Sequence, residues 1–317
     1  MGRIVNPEQD RQSTPPAAGV TYRHGALQDS ETVYRIFQKS LIDLSERLNV
    51  TAITGAQDPE VLASLWQRRR PLFEHLAQTA HKFWIAEVDG EAIGYARSIL
   101  RAGVWELTEF FVLPGRQSAG VGRELLQHVL PDEEIRRKAI IATPDVRAQA
   151  RYLKMGVYAR FPVTYFSREP QEAPLATDLT FVEMEPSENT FAVLRNIDRQ
   201  ILEHHHDDDH AWLMGQFEGY LYLRDGAAVG YGYMGYYSGP FALLDEADFP
   251  AVLAHAECRA AEKGHNFGVE VPLINRAAVD FLLGRGYQLD SFFTFFMSDE
   301  PFGQFDHYLF PSPPFFM

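Results

Sequence analysis

Apolar and polar residues along the chain alternate with two periods, and the switch between them divides the chain into elements. VTYRHGAL (Val20–Leu27) alternates as a short strand does. DSETVYRIFQKSLIDLSERL then places apolar residues at helical spacing behind Asp29 or Ser30 as cap, and a second helix is predicted from Asp58 to about Thr79. FWIAEVDG, EAIGYARSIL and VWELTEFFVLP read as three strands, the first two joined through DGEA as a hairpin. QSAGVGRELLQHVL is a glycine-bearing turn entering a helix. KAIIATP, VRAQARYLKMG and VYARFPVTYF follow as strand, helix and strand.

The order then begins again. REPQEAPLATD (Arg168–Asp178) has linker composition. Beyond it LTFVEM is a strand and NTFAVLRNIDRQILEHHH a helix, with Asn189 as the expected cap. YLYLRDGAAVGYGYM repeats the earlier hairpin: Asp89-Gly90 and Gly94-Tyr95 recur as Asp225-Gly226 and Gly230-Tyr231, at a constant offset of 136 residues. A helix (DFPAVLAHAECRAAEKG), a strand (NFGVEVP), a helix (NRAAVDFLLGRG) and a last strand (YQLDSFFTFFM) complete the second copy. Two α/β units in tandem are expected: a tail over residues 1–19, a unit over 20–168, a linker over 169–178 and a unit over 179–317.

Composition narrows the partners. The 317 residues carry a net charge of −14, which repels the phosphates of a nucleic acid and is compatible with a cationic small substrate. Cys258 is the one cysteine, so no internal disulfide and no cysteine-based zinc site can form, and a reducing cytoplasm is the expected setting. Neither a signal-like segment nor an apolar run long enough to span a bilayer is present, so no membrane partner is expected. A monomer and a homodimer both remain open.

The informative motif is Gln117-Ser118-Ala119-Gly120-Val121-Gly122-Arg123, after a strand and at the start of a helix. Glycine there lets backbone approach a ligand, and free N–H groups at the positive end of the helix attract phosphate. A dinucleotide-binding turn fits poorly, because Leu125 stands where a third glycine belongs and the preceding strand closes a mostly antiparallel run. In its wider context the stretch V-x-P-x-x-Q-x-x-G-x-G (Val112–Gly122), followed by a strand and a helix ending Tyr152-Leu153-Lys154-Met155-Gly156, resembles the GNAT superfamily of acyl-CoA-dependent N-acetyltransferases. The resemblance implies an α/β (α+β) fold of two tandem GNAT units, each a mixed, mostly antiparallel twisted sheet flanked by helices.

It also implies acetyl-CoA as cosubstrate, with Ser118 to Arg123 cradling the pyrophosphate and Phe110, Phe111 and Val112 pairing with the pantetheine arm. Tyr152 takes the place of the residue that protonates the CoA thiolate. Asp145 stands where the family has asparagine, a departure at one cofactor contact, and Val157 stands where it has phenylalanine. In the second unit Asn275, Ala278, Gly286 and Tyr287 follow the pattern, but Leu282 occupies the tyrosine position and no pyrophosphate loop precedes the helix. That unit is therefore read as degenerate. The amine must lose a proton before it can attack. The expected base is Glu109, with Glu106 as the alternative; strand alternation puts the two on opposite faces unless a bulge intervenes.

HHHDDDH (His204–His210) could hold a divalent metal, His206 and His210 being four apart. The reading preferred here is structural or substrate-side, with Asp207 to Asp209 opening a helix and no metal expected. The aromatic end of the chain reads as a core strand and a strap, or as a wall of the substrate cavity. The sequence thus points to acetyl transfer onto a small-molecule or peptide amine. A non-catalytic acyl-CoA sensor and a metal-binding protein on the same scaffold are the rivals.

Overall fold

A computed structural model describes residues 19–50, 59–117, 120–235 and 238–317. The first unit runs β1 (Val20–His24), α1 (Ser30–Leu48), α2 (Pro59–Gln78), β2 (Lys82–Val88), β3 (Glu91–Arg101), β4 (Val104–Val112), α3 (Val121–Val129), β5 (Arg137–Ala142), α4 (Val146–Lys154) and β6 (Tyr158–Arg168). The second runs β7 (Thr180–Glu183), α5 (Glu188–Ile201), α6 (Asp207–Gln216), β8 (Glu218–Arg224), β9 (Ala227–Met234), β10 (Phe241–Leu243), α7 (Phe249–Glu262), β11 (Phe267–Pro272), α8 (Arg276–Gly284), β12 (Gln288–Leu289), β13 (Thr294–Ser298) and β14 (Tyr308–Leu309). Two short strands, β10 and β14, are additions to the sequence reading, and the expected last strand is split into β12 and β13.

Local chemistry explains the boundaries. Asn49 adopts the left-handed conformation that ends α1 and closes onto the carbonyls of Ser45 and Glu46. Ser187, not the expected Asn189, caps α5: its hydroxyl accepts from the Thr190 N–H at 3.1 Å. That helix stops at Ile201, so the histidines fall in the turn before α6. Asp207 to Asp209 do form the first turn of α6, as read from the sequence. Asp89-Gly90 and Asp225-Gly226 all have positive φ, as a two-residue hairpin turn requires. The 136-residue repeat extends to irregularities: pairing slips after Ala86 in the first hairpin and after Tyr222 in the second.

The sheets do not respect the sequence order of the units. One sheet runs β1-β2-β3-β4-β5-β13-β6-β11, with β12 also on β6; the other runs β14-β10-β9-β8-β7. β13, from the second unit, lies between β5 and β6 of the first. β6, from the first unit, lies beside β11 along Val163–Arg168 and meets β12 at Ser167 and Phe166. Each unit therefore lends its sixth strand to complete the other's sheet. One apolar cluster follows from this exchange, joining Val33, Phe37 and Phe73 to Leu194, Tyr231, Phe296 and Phe316 across both halves. Separate clusters lie under α3 and α4 and under α7 and α8. Among the described residues no helix is long and apolar enough to cross a membrane.

The polar run His204–His210 is built into this junction. Asp209, fully buried on α6, accepts from Arg101 Nε at 2.8 Å and Nη2 at 3.0 Å, and lies 2.7 Å from His75 Nε2. Arg101 is on β3 and His75 on α2, so one carboxylate clasps the two units. Burial works against the charge of Asp209, but the Arg101 guanidinium and the bond to His75 outweigh it and hold the carboxyl well below the usual range.

Two outcomes test this architecture. A fragment of residues 20–168 loses β13 from the middle of its sheet; calorimetry should show no cooperative unfolding transition, where the full chain gives one. Asp209→Ala leaves Arg101 buried without its counter-charge, and chemical denaturation should report a loss of about 3–5 kcal/mol.

Candidate active site

The site begins where β4 leaves β5. The two run parallel only from Val104–Leu107 against Arg137–Ile140, and beyond Leu107 they part. A cavity of about 550 Å³ opens between them, lined by Thr108 to Val112 on β4 and Ile140 and Ile141 on β5. The β5 side of that strand edge is thus exposed to the cavity, which offers main-chain groups to a ligand. Phe110, Phe111 and Val112, the residues expected beside a pantetheine arm, all line it.

At one end stands the start of α3. Gly120 caps the helix with φ of 80°, a conformation that an L side chain adopts only under strain. Arg123 and Glu124 donate to its carbonyl at 2.9 and 3.2 Å. The N–H groups of Val121 and Gly122 have no acceptor within the helix, which leaves them for an anion. A Cβ on Gly122 would come within 2.9 Å of the Phe110 ring, so only glycine lets the helix start approach the β4 edge this closely. Gln117 holds the turn to the strand end, its Nε2 donating to the Val112 carbonyl at 2.9 Å. Arg123 pairs with Glu124 at 2.8 Å. Ser118 and Ala119, expected in the cradle, lie outside the described residues.

Asp145 caps α4, accepting from the Arg147 N–H at 2.8 Å, and pairs with the side chains of Arg147 at 2.8 Å and Arg47 at 3.0 Å. Partial burial works against its charge, but these bonds hold the carboxyl well below the usual range. Arg151 lines the cavity beside them. Two guanidiniums thus pair with one carboxylate and a third lines the same cavity, so this end is basic despite the acidic chain. The anion that stood out as a departure is neutralised in place. Tyr152 is buried on the cavity wall, edge-on to Phe110 at 6.4 Å between ring centres. Burial and the Asp145 charge push its phenol up, so it keeps its proton at any working pH.

The two candidate glutamates correct the expected facing. The β3–β4 ladder slips between Arg97↔Glu109 and Ser98↔Leu107, leaving Thr108 as an extra residue on β4. This bulge restores Glu106 and Glu109 to one face. Glu109 lines the cavity but is fully engaged: Tyr95 Oη donates to Oε1 at 2.7 Å, and Arg97 donates to Oε2 from Nε at 2.6 Å and also from Nη2. Both of its oxygens are thus already taken up by hydrogen bonds within the wall. Glu106 lies off the cavity, buried and accepting from the Met317 N–H at 3.2 Å. Burial, then the charge of Asp209, push its carboxyl up to about 8.

The far end of the cavity holds acids that the motif reading did not single out. Glu270 on β11 is buried and lines it, with Asp290 close by in the turn before β13. Burial first, then the Asp290 charge, push the Glu270 carboxyl up to about 8, against Arg69 and a hydrogen bond from Ser312. Its signal was present in FGVEVP, where one acid interrupts an otherwise apolar strand. The end of the chain forms a wall as well as a strap: Ser312 to Phe315 line the cavity, and Phe316 and Met317 are buried beyond it.

The second unit's counterpart of this cleft is filled. β14 pairs with β10, and the Phe310 N–H donates to the Glu270 carbonyl on β11 at 3.1 Å. Chain thus lies in the wedge between the fourth and fifth strands, where the first unit has its cavity. Before α7 the chain carries acids, Asp245 accepting from the Ala247 N–H and Asp248 from Arg224, where the first unit carries glycines. Elsewhere, Asp198, His206 and His210 bring three possible ligand atoms within 4.8 Å of one another, all buried. Asp198 accepts from Tyr231 Oη at 2.7 Å and lies 2.9 Å from His210 Nε2, whose other nitrogen meets Tyr233 Oη at 2.8 Å. These contacts already give Asp198 and His210 full roles in a buried network.

Glu106 makes stability depend on pH in a defined direction. Its carboxyl ionises near its ordinary 4.5 when unfolded and near 8 when folded, so the native state holds the extra proton between those values. Stability contributed by this group therefore falls as pH rises through that window. Glu106→Gln should raise the melting midpoint at pH 8.5 by about 2 °C or more while changing it little at pH 5. An equal shift at both pH values would contradict the assignment.

Residues 48–157 match the sequence model of the acetyltransferase (GNAT) family. No curated protein matches the chain. Among solved structures, a candidate acetyltransferase from Pyrococcus horikoshii superposes with a TM-score of 0.69 at 13% identity, covering 95% of this chain and 96% of that one. A GCN5-related N-acetyltransferase from Sphaerobacter thermophilus gives 0.59 at 15% identity, over 90% and 98%. A tandem GNAT protein from the clavulanic acid biosynthesis pathway gives 0.57 at 12%, over 89% and 99%. The glycine turn, the splayed strands and the tyrosine helix described above all fall within the matched segment, and the chain as a whole has the fold of tandem, two-unit GNAT structures.

Proposed function

We propose that the protein is an N-acetyltransferase that moves the acetyl group of acetyl-CoA to a primary amine of a small molecule or peptide, by direct attack in a ternary complex. The observation that carries this reading is the continuous cavity, which joins a basic helix start, an open strand edge and an acidic far end. The family's donor, acetyl-CoA, is complementary to the first two. Its pyrophosphate fits the free N–H groups at Gly120–Gly122 with Arg47, Arg147 and Arg151 near, and its pantetheine amides fit the edge of β4.

The amine nitrogen, once deprotonated, attacks the thioester carbonyl carbon. Backbone N–H groups at the splay stabilise the oxyanion of the tetrahedral intermediate. The C–S bond breaks, and Tyr152, protonated up to that step, gives its proton to the departing thiolate. Glu109, locked to Arg97 and Tyr95, supports the cavity wall rather than accepting the proton. The filled cleft of the second unit limits cofactor binding to one site per chain.

Calorimetric titration with acetyl-CoA should show one site per chain, lost in Gly120→Asp/Gly122→Asp. Binding in the wild type without thioester loss across an amine panel would favour a sensor instead. Tyr152→Phe should lower kcat by about 10²-fold or more while leaving acetyl-CoA affinity within about twofold.

A further inference from the structure

The acceptor end of the cavity has a charge balance of its own. Glu270 lies on β11 of the second unit, opposite Tyr165 of β6, and reaches the first unit's cavity because β6 is shared between the halves. Asp290 is fixed beside it: its N–H donates to the Tyr165 carbonyl at 2.8 Å, and its Oδ1 accepts from the Phe292 N–H at 2.9 Å. Two further groups act on Glu270, Arg69 from α2 and the Ser312 hydroxyl from the chain's last segment. Once Glu270 is ionised, above about pH 8, two carboxylates against one guanidinium leave one negative charge, enough to balance one ammonium. The cavity wall also carries the rings of Phe37, Phe292 and Phe315. A ring wall of this kind favours a cation beside an apolar body and offers no second carboxylate to pair with another ammonium.

We propose, resting on the acetyl-transfer reading, that Glu270 is the proton acceptor for the attacking amine and that Glu270 and Asp290 select acceptors bearing a single ammonium on an uncharged body. The acceptor enters as R–NH₃⁺ and gives one proton to the Glu270 carboxylate. The nitrogen lone pair forms the C–N bond, the C–S bond breaks, and the thiolate takes a proton from Tyr152. The phenol is restored by the second proton of the amine nitrogen, and Glu270 returns its proton to solvent. The sum is R–NH₃⁺ and acetyl-CoA to amide, CoA–SH and one free proton. With the proton on Glu270, Asp290 and Arg69 are left as a neutral pair around a neutral amine, so no unbalanced charge stays buried during the chemical step.

The test compares phenethylamine with phenylalanine and 1,3-diaminopropane, in the wild type, Glu270→Gln and Asp290→Asn. The wild type should acetylate phenethylamine at least about tenfold more efficiently, in kcat/KM, than either the carboxylate-bearing or the doubly charged amine. Glu270→Gln should lower kcat/KM for phenethylamine by about 10²–10⁴-fold and remove the rising limb of its pH profile, with acetyl-CoA binding unchanged by calorimetry. Asp290→Asn removes the like charge that raises Glu270, so the midpoint of that limb should move to lower pH. A purely structural role for Asp290 would not move it.

An unshifted limb in both variants, or activity of Glu270→Gln within about threefold of wild type, overturns Glu270 as proton acceptor. A preference for the diamine or for phenylalanine overturns the charge count. A wild type that binds acetyl-CoA but neither binds nor acetylates phenethylamine overturns the acceptor class and leaves the transferase reading standing. Failure of the wild type to bind acetyl-CoA removes that reading itself.

Discussion

Everything else in this molecule depends on the exchange of sixth strands. β13 lies between β5 and β6, and β6 lies against β11 and β12, so each half's sheet is completed by the other. Backbone hydrogen bonds in the middle of a sheet cannot be surrendered to water without exposing apolar faces on both sides. The halves are consequently one cooperative body, sealed by the shared apolar cluster and clasped by Asp209 against Arg101 and His75. Asp207 to Asp209 serve this clasp and the start of α6, while His206 and His210 stand with Asp198 in a buried cluster.

The exchange also explains why one cleft is open and the other filled. In the first half the wedge beyond Leu107 keeps its strand edge exposed, and glycines bring a helix start up to it. In the second half the corresponding wedge holds β14, whose pairing with β10 satisfies the same kind of edge from within the chain. The segment after β14 then passes to the first cavity and forms part of its far wall. On the proposed reading, the second unit shapes the acceptor side of the cavity that the first unit opens. The cavity carries arginines around Asp145 and acids at Glu270 and Asp290, a separation that the net charge of −14 conceals.

Much of this was legible in the sequence because the relevant signals are local. The hairpin turns at Asp89-Gly90 and Asp225-Gly226 need positive φ, and the repeat at 136 residues follows from them. The motif around Gly120 and Tyr152 are local in the same sense, and Gln117, Gly122 and Tyr152 are on the cavity wall. What was not legible is non-local. No pattern within YQLDSFFTFFM says that its strand pairs with β5 and β6 of the first half. The bulge at Thr108 depends on the β3–β4 register, so the facing of Glu106 and Glu109 could not be read by counting. Glu270 was visible only as an odd charge in an apolar strand; its meaning depends on the exchange that brings it to the other half's cavity. Ser187 was a nearer miss, a cap displaced by two positions because serine and asparagine both suit the role.

The lending of sixth strands sets the units in which this protein can vary. A half is a contiguous stretch of sequence but not an independent piece of structure, so recombination at the linker between relatives would join sheets with mismatched central strands. A viable chimera must carry β6 together with β11, β12 and β13, wherever the remaining joints fall. For the same reason, substitutions on β11 and on β4 should show epistasis although they lie in different halves. Change in the cavity wall that one half supplies is thereby tied to the wall supplied by the other through a single shared strand.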